Sequence, residues 1–357
     1  MNSRPLVAAL TICLLLLTQG TVSAASGDSV YARPGRLVAA ADGARLNFYC
    51  TGSGSPTVVF DAGFEDWAPA WAVVQPQIAE WTRACSYDRA GAGFSDAGPM
   101  PRTSVRIADE LHSALHNAGI DGPFILVGHA FGGDNVRTFA DRYMPEVAGL
   151  VLVEADPSDV EPKEMQDEDH RGQAMFVPKL RECRDAVAAG TTLPLLPTAP
   201  GRPARTCAQQ FFRGLPETAW SPELNAEVLR LAQTKVAMYD AYISEMEQMA
   251  NDELYLQRHH RSFGARPIRV ITTGNHAVGS LDRPRTESLQ HLKYEYEIAL
   301  AQARWLGLSS NAKQVFTRHS SEYVQFDEPA TVVDAIRDVY DQAGTRNTAP
   351  RAAPEQR

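Results

Sequence analysis

The chain has 357 residues, of which 44% are hydrophobic and 22% are charged. This composition excludes a wholly disordered chain, a collagen, a coiled coil and a membrane protein with several spans. Acidic residues outnumber basic ones by 43 to 34, which gives a formal net charge of −9. Since no basic block stands out, nucleic acid and anionic membrane surfaces are poor candidates for partners.

Residues 1–24 have the pattern of a signal peptide. Arg4 provides a positive charge, residues 6–17 are apolar, and the Val-Ser-Ala run at 22–24 fits a cleavage site. The segment is too short to be a good transmembrane span. The sequence therefore predicts a secreted or periplasmic protein with no membrane span after cleavage. The alternative is a buried N-terminal helix.

Export changes the interpretation of the cysteines. Cys13 lies in the predicted signal peptide, and four cysteines remain, an even number that suits an oxidising compartment. They are Cys50, Cys85, Cys183 and Cys207. Their number allows three pairings. Without export they are small buried hydrophobic residues.

Residues 36–156 alternate short β-branched runs with amphipathic segments, which is typical of a mostly parallel α/β sheet. The next hundred residues contain Pro-rich loops and helical stretches, and then the α/β pattern resumes. Strands are predicted at 46–50, 57–61, 84–88, 124–128, 149–154, 268–272 and 312–317, and helices at 69–81, 104–118, 131–143, 287–305 and 329–340. The polar tail at 344–357 is predicted to be disordered.

Four segments in this order make the chain similar to the α/β-hydrolase superfamily, in its branch of capped esterases and peptidases. They are DAGF (61–64), SYDRAGAGFSD (86–96), GHAFGG (128–133) and SSEYVQFDEP (320–329). The resemblance implies an α/β-hydrolase fold, with a mostly parallel eight-stranded sheet flanked by helices. It implies a core at 36–156 and 266–343, and a helical cap at 157–265 that is inserted after strand six.

The resemblance also selects among the cysteine pairings. In this superfamily the second strand lies beside the fourth, so Cys50 and Cys85 come within bonding distance. Cys183 and Cys207 both fall in the predicted cap. A disulfide between them closes a loop and contributes roughly 3 kcal/mol in the chain-entropy model.

The superfamily's nucleophile is the serine of a Gly-x-Ser-x-Gly turn between a strand and a helix. In this chain the central residue of that turn is Ala130, which has no hydroxyl group and cannot be acylated. No other Gly-x-Ser-x-Gly occurs in the sequence. The resemblance therefore identifies Ala130 as the nucleophile position with the serine lost.

The other two triad positions are assigned by their distance from landmarks of the superfamily. The base, normally a histidine, lies seven residues before the proline of the last helix, where this chain has Glu322. His319 is a less favoured base, since it needs a shift in register. Glu154, which follows the sixth strand, is the best candidate for the acid. A structural strand-end carboxylate is nearly as good an interpretation of Glu154.

The oxyanion hole can survive these changes because its donors are backbone N–H groups. The resemblance places them at Phe131, after the elbow, and in the turn formed by Gly63 and Phe64. Glu65 and Asp66 follow that turn, and we expect them to be exposed acidic residues. No cofactor or metal site is predicted: the neighbouring His259 and His260 have no metal-ligand spacing around them.

Three hypotheses follow. The favoured one is a pseudoenzyme, or a pocket that binds an apolar or carbonyl-bearing small molecule. The second is an enzyme that uses Glu322, desolvated under the cap, as an acid or base with the oxyanion hole, as a lyase, a cyclase or a water-activating hydrolase. The third is an inactivated variant of a secreted ester, lactone or peptide hydrolase. The sequence does not determine the ligand or the oligomeric state.

Overall fold

The computed structural model describes residues 27–191, 206–208, 220–273 and 289–348. Eight strands form one sheet in the order β1-β2-β4-β3-β5-β6-β7-β8. β2 is antiparallel to both its neighbours, β1 and β4, and all other neighbouring strands are parallel. The strands are β1 (Arg36–Ala39), β2 (Arg45–Thr51), β3 (Thr57–Asp61), β4 (Ala84–Asp88), β5 (Phe124–His129), β6 (Val147–Val153), β7 (Ile268–Thr272) and β8 (Ala312–Phe316).

Helices cover both faces of this sheet. The arrangement of the sheet and the helices is the α/β-hydrolase fold. The described helices are α1 (Gln75–Ala79), α2 (Ser104–Asn117), α3 (Gly132–Arg142), α4 (Lys163–Ala188), α5 (Pro222–Thr234), α6 (Val236–Arg258), α7 (Leu289–Arg304), α8 (Val324–Asp327) and α9 (Pro329–Thr348). Short 3-10 turns lie at Ser29–Ala32, Ala68–Trp71, Met144–Glu146 and Trp305–Leu308. Helices α4, α5 and α6 lie between β6 and β7, and we call them the helical insertion. A cap domain with bounds at 157–265 stays a prediction.

The central strands are buried along their whole length because both of their faces are covered. Every residue of β3, β4, β5 and β7 is buried. These strands do not alternate between buried and exposed residues, as strands do when one face of the sheet meets solvent. The absence of this alternation is typical of parallel sheets that are covered by helices on both faces. The carboxyl ends of β3, β5 and β6 therefore meet along one protected edge.

The predicted strands are present with bounds within two residues, and three other features differ. β1 was not predicted because only Val38 of its four residues is buried, so it has almost no hydrophobic pattern. In place of the single helix predicted at 69–81, the structure has a 3-10 turn followed by the short helix α1. Pro76 lies in the first turn of α1, where a proline favours the start of a helix. α9 continues to Thr348, so residues 344–348 are helical where the sequence predicts the start of a disordered tail. The predicted signal peptide and residues 349–357 lie outside the described residues.

Both predicted disulfides are present. Cys50 and Cys85 face each other across the β2–β4 pair, and Cys183 on α4 joins Cys207. Two disulfides are consistent with an extracellular protein, since oxidising compartments preserve them. Among the described helices, none combines the length and the apolar character that crossing a bilayer requires.

Candidate active site

Ala130 occupies a sharp turn between β5 and α3. Its backbone has φ 45°, in the left-handed region that an alanine rarely adopts. The flanking glycines are needed for close packing: a Cβ on Gly128 would lie 2.4 Å from the carbonyl oxygen of Gly132, and one on Gly132 would lie 2.5 Å from that of Asp61. The turn thus has the geometry of a nucleophile elbow, with a partly exposed methyl group in place of the hydroxyl group.

The turn after β3 lies directly against this elbow. A Cβ on Gly63 would lie 3.3 Å from the Cβ of Ala130 and 3.0 Å from Nδ1 of His129. The guanidinium of Arg89 donates hydrogen bonds to the carbonyl oxygens of Ala62 (2.7 Å) and Gly63 (2.8 Å). In a trans peptide the C=O and N–H point in opposite directions, so the N–H of Phe64 faces away from Arg89.

The backbone of α3 adds a second electrostatic element. Phe131, the predicted second donor of the oxyanion hole, is the N-cap of α3 and is buried. The amino end of a helix carries a partial positive charge, which stabilises negative charge close by. Gly63, Phe64 and Phe131 therefore lie around Ala130 on elements suited to an oxyanion, and their role in one stays a prediction.

The base position differs from its expected environment. The side chain of Glu322 is exposed, because the loop between β8 and α8 runs along the surface. The expectation that Glu322 is desolvated is therefore wrong. Its backbone carbonyl, however, lies 3.0 Å from Nε2 of His129. His319 is also exposed, and its backbone N–H donates to Glu328.

His129 is buried beside the elbow and is neutral. Burial lowers the pKa of His129 to about 4, although its hydrogen bond to the Glu322 carbonyl raises the pKa slightly. Since a carbonyl only accepts, Nε2 carries the proton and Nδ1 has a free lone pair. Nδ1 is buried and has no hydrogen-bond partner among the described residues. His129 thus connects the elbow to the loop that carries Glu322.

Glu154, the predicted acid, stands at the end of β6 with φ 40°. Its carboxylate accepts a hydrogen bond of 2.6 Å from the backbone N–H of Thr273 and one of 3.5 Å from Gln302 on α7. These contacts anchor the carboxylate at the ends of β6 and β7. They suit the structural interpretation of Glu154 as well as the catalytic one.

Asp66 is a site residue whose environment the sequence did not reveal. It was expected to be exposed, but its exposed fraction is 9%. Burial raises the pKa of Asp66 to about 7; a hydrogen bond with Tyr323 lowers the pKa, and the charge of Glu322 raises it. A buried carboxyl group that titrates near neutrality therefore lies between the turn after β3 and the Glu322 loop. No local sequence signal indicates this burial, and the hydrogen-bond partner Tyr323 comes from a loop far along the chain.

The helical insertion packs over the same turn. Tyr242 on α6 donates a hydrogen bond of 3.0 Å to the carbonyl oxygen of Glu65, and its ring centroid lies 5.6 Å from that of Phe64. Met238 and Met246 are buried in the same apolar cluster. The insertion therefore covers the residues around the elbow and limits the access of water to them.

An eight-stranded sheet with an elbow after β5 and an insertion after β6 defines an α/β-hydrolase. A profile of the alpha/beta hydrolase fold family matches residues 56–258, more than half of the chain. The chain belongs to this family.

The relatives give no common activity. A protein of Schizosaccharomyces pombe described as uncharacterized is 32% identical in an alignment of 157 positions that covers 36% of this chain and 29% of that protein. The chain thus matches less than a third of that relative's length. Among solved structures, the epoxide hydrolase CorEH is similar with a TM-score of 0.55 and 16% identity, covering 86% of this chain and 97% of the other. An esterase from Thermogutta terrifontis has a TM-score of 0.53 and 18% identity, covering 87% and 99%. Likeness at this level of identity shows the fold alone.

Proposed function

We propose that this chain is an exported member of its family that binds an apolar or carbonyl-bearing small molecule at the elbow without forming an acyl-enzyme. One observation carries the proposal: Ala130 holds the strained backbone of a nucleophile elbow but has no oxygen to attack a carbonyl carbon. A methyl group there preserves the shape of the site and removes serine chemistry.

Two further features support binding. The turn at Gly63 is held against the elbow by Arg89, so a carbonyl oxygen of the ligand can meet preorganised backbone donors. The apolar cluster of the insertion, with Phe64 and Tyr242 in contact, suits the remainder of an apolar ligand.

A titration with p-nitrophenyl butyrate tests this function. We expect saturable binding by saturation-transfer NMR, with no release of p-nitrophenol above that of a protein-free control. Turnover that a phosphonate probe blocks would contradict the proposal. The proposal would also be contradicted if the protein bound neither this ester nor its longer-chain homologues.

A second candidate is proton transfer at this site, which the neutral-range pKa of Asp66 favours. Acid–base groups work best with a pKa near the working pH. Here Asp66 takes the role that the sequence assigned to Glu322, because Asp66 is buried and Glu322 is exposed. Its test is an Asp66→Asn variant, in which any turnover should fall on the order of a hundredfold to ten-thousandfold. Glu322→Gln is the matched control and should retain turnover.

A further inference from the structure

Three residues with metal-ligating side chains converge at the opposite end of the sheet from Ala130. His112 and His116 are four residues apart on α2, so they lie on one face of the helix. Glu146 belongs to the 3-10 turn that precedes β6. One ligand atom from each of these residues lies within 4.8 Å of the other two.

The ligand atoms of this group lie close to one another. Nε2 of His112 lies 3.1 Å from Nε2 of His116. The two carboxylate oxygens of Glu146 each lie 3.0 Å from one of these nitrogens. Two imidazole nitrogens and a carboxylate form a donor set that Zn²⁺ accepts readily, with a water as the fourth ligand.

Neighbouring groups orient both imidazoles for this role. Nδ1 of His116 lies 2.7 Å from Oδ1 of Asp121. If Nδ1 donates to that carboxylate, Nε2 has no proton and its lone pair is available to a metal, as in carboxylate–histidine–zinc arrangements. The ring of His112 stacks flat on that of Tyr143, with centroids 3.6 Å apart.

The group is accessible to an ion from solvent. The side chains of His112, His116 and Glu146 are 22%, 37% and 31% exposed. Phe124, the first residue of β5, pairs with Val147, which directly follows Glu146. Ala130 lies just beyond the other end of β5, whose six residues span about 20 Å. The group is therefore separate from the elbow.

We propose that His112, His116 and Glu146 bind one Zn²⁺ ion, which clamps the carboxyl end of α2 to the turn before β6. No residue of the elbow region takes part in this coordination. Mg²⁺ prefers oxygen ligands and does not occupy this site.

Competition with a chromophoric zinc chelator at pH 7.5 tests the site on the full chain. We expect one Zn²⁺ per chain, no response to Mg²⁺, and a rise in Tm on addition of Zn²⁺. His112→Ala and Glu146→Gln should each weaken binding at least tenfold, and Asp121→Asn about tenfold. His259→Ala is the matched control, since His259 is an exposed helix-end histidine elsewhere.

Far-UV circular dichroism of each variant separates a lost site from a lost fold. A wild-type chain that binds less than one Zn²⁺ would overturn the proposal. So would a folded His112→Ala variant with unchanged affinity, or a loss of binding in His259→Ala that matches the loss in His112→Ala.

Discussion

Arg89 and Glu245 form a buried ion pair, with Nε of the guanidinium 2.9 Å from the carboxylate oxygen and both side chains at most 2% exposed. Arg89 follows β4, and Glu245 lies on α6 of the helical insertion. The same guanidinium contacts Asp61 and the carbonyl of Gly63. One side chain thus joins the insertion to the turn that faces Ala130.

We predict that Glu245→Ala lowers the free energy of unfolding by about 3 kcal/mol, because it leaves part of a buried cation without its partner. Glu247→Ala is the matched control on the same helix. Its partner is the exposed Arg181, so the expected loss is below about 1 kcal/mol. Urea denaturation measures both, and equal losses would contradict this account of Arg89.

The buried acids around the insertion predict a pH dependence. Glu161 is 5% exposed and Asp252 is 2% exposed. Burial raises the pKa of Glu161 to about 8 and that of Asp252 to about 7. The folded state therefore retains protons that the unfolded chain releases near pH 4. Because the folded state binds more protons, these groups reduce stability progressively as pH rises from about 4 to 8.

Replacing one of these acids by its amide should remove that acid's contribution to the fall in stability with rising pH. We expect Glu161→Gln to become more stable relative to wild type as pH rises from 5 to 8, as measured by urea denaturation at each pH. Glu164→Gln, an exposed neighbour at the start of α4, is the control and should show no such trend. A constant difference between Glu161→Gln and wild type would show that Glu161 titrates at its ordinary pKa.

Tyr323 should control the protonation of Asp66. The hydrogen bond between them lowers the pKa of Asp66, against the larger effect of burial. We predict that Tyr323→Phe raises this pKa above 7, as followed by ¹³C NMR of labelled aspartate side chains. Tyr340→Phe, on α9, should leave it unchanged. A carboxyl that titrates near 4 in the wild type would contradict the buried position of Asp66.

The disulfides predict the thiol content of the mature protein. With Cys50 joined to Cys85 and Cys183 to Cys207, we expect no free thiol under denaturing, non-reducing conditions. Retention of residues 1–24 would add one thiol, that of Cys13. Thiol titration combined with intact mass therefore tests export as well. Peptide mapping that joins Cys50 to Cys183 would refute the pairing of β2 with β4.

The parts of the fold that follow from local pattern were predictable. β5 is a continuous apolar run followed by glycines at the elbow, and its position and the alanine at its end are visible in the sequence. The burial of Asp66 was not predictable from its local sequence, and its hydrogen-bond partner Tyr323 comes from the far end of the chain. The exposure of Glu322 likewise depends on the path of a surface loop.

The proposed zinc site of His112, His116 and Glu146 was unpredictable for the same reason. The spacing of His112 and His116 places both on one helix face, but only tertiary packing brings Glu146 to them. Local spacing predicts which side chains share an element. It does not predict which elements meet.

Labelling of the unmodified protein with a fluorophosphonate probe tests the central claim most directly. We predict no labelling of the wild type, because Ala130 offers no oxygen to phosphonylate. The Ala130→Ser, Glu322→His double variant is the comparison, and its labelling would show that the elbow still accepts such a probe. Stoichiometric labelling of the wild type that a small active-site ligand blocks would contradict the account and require a different nucleophile.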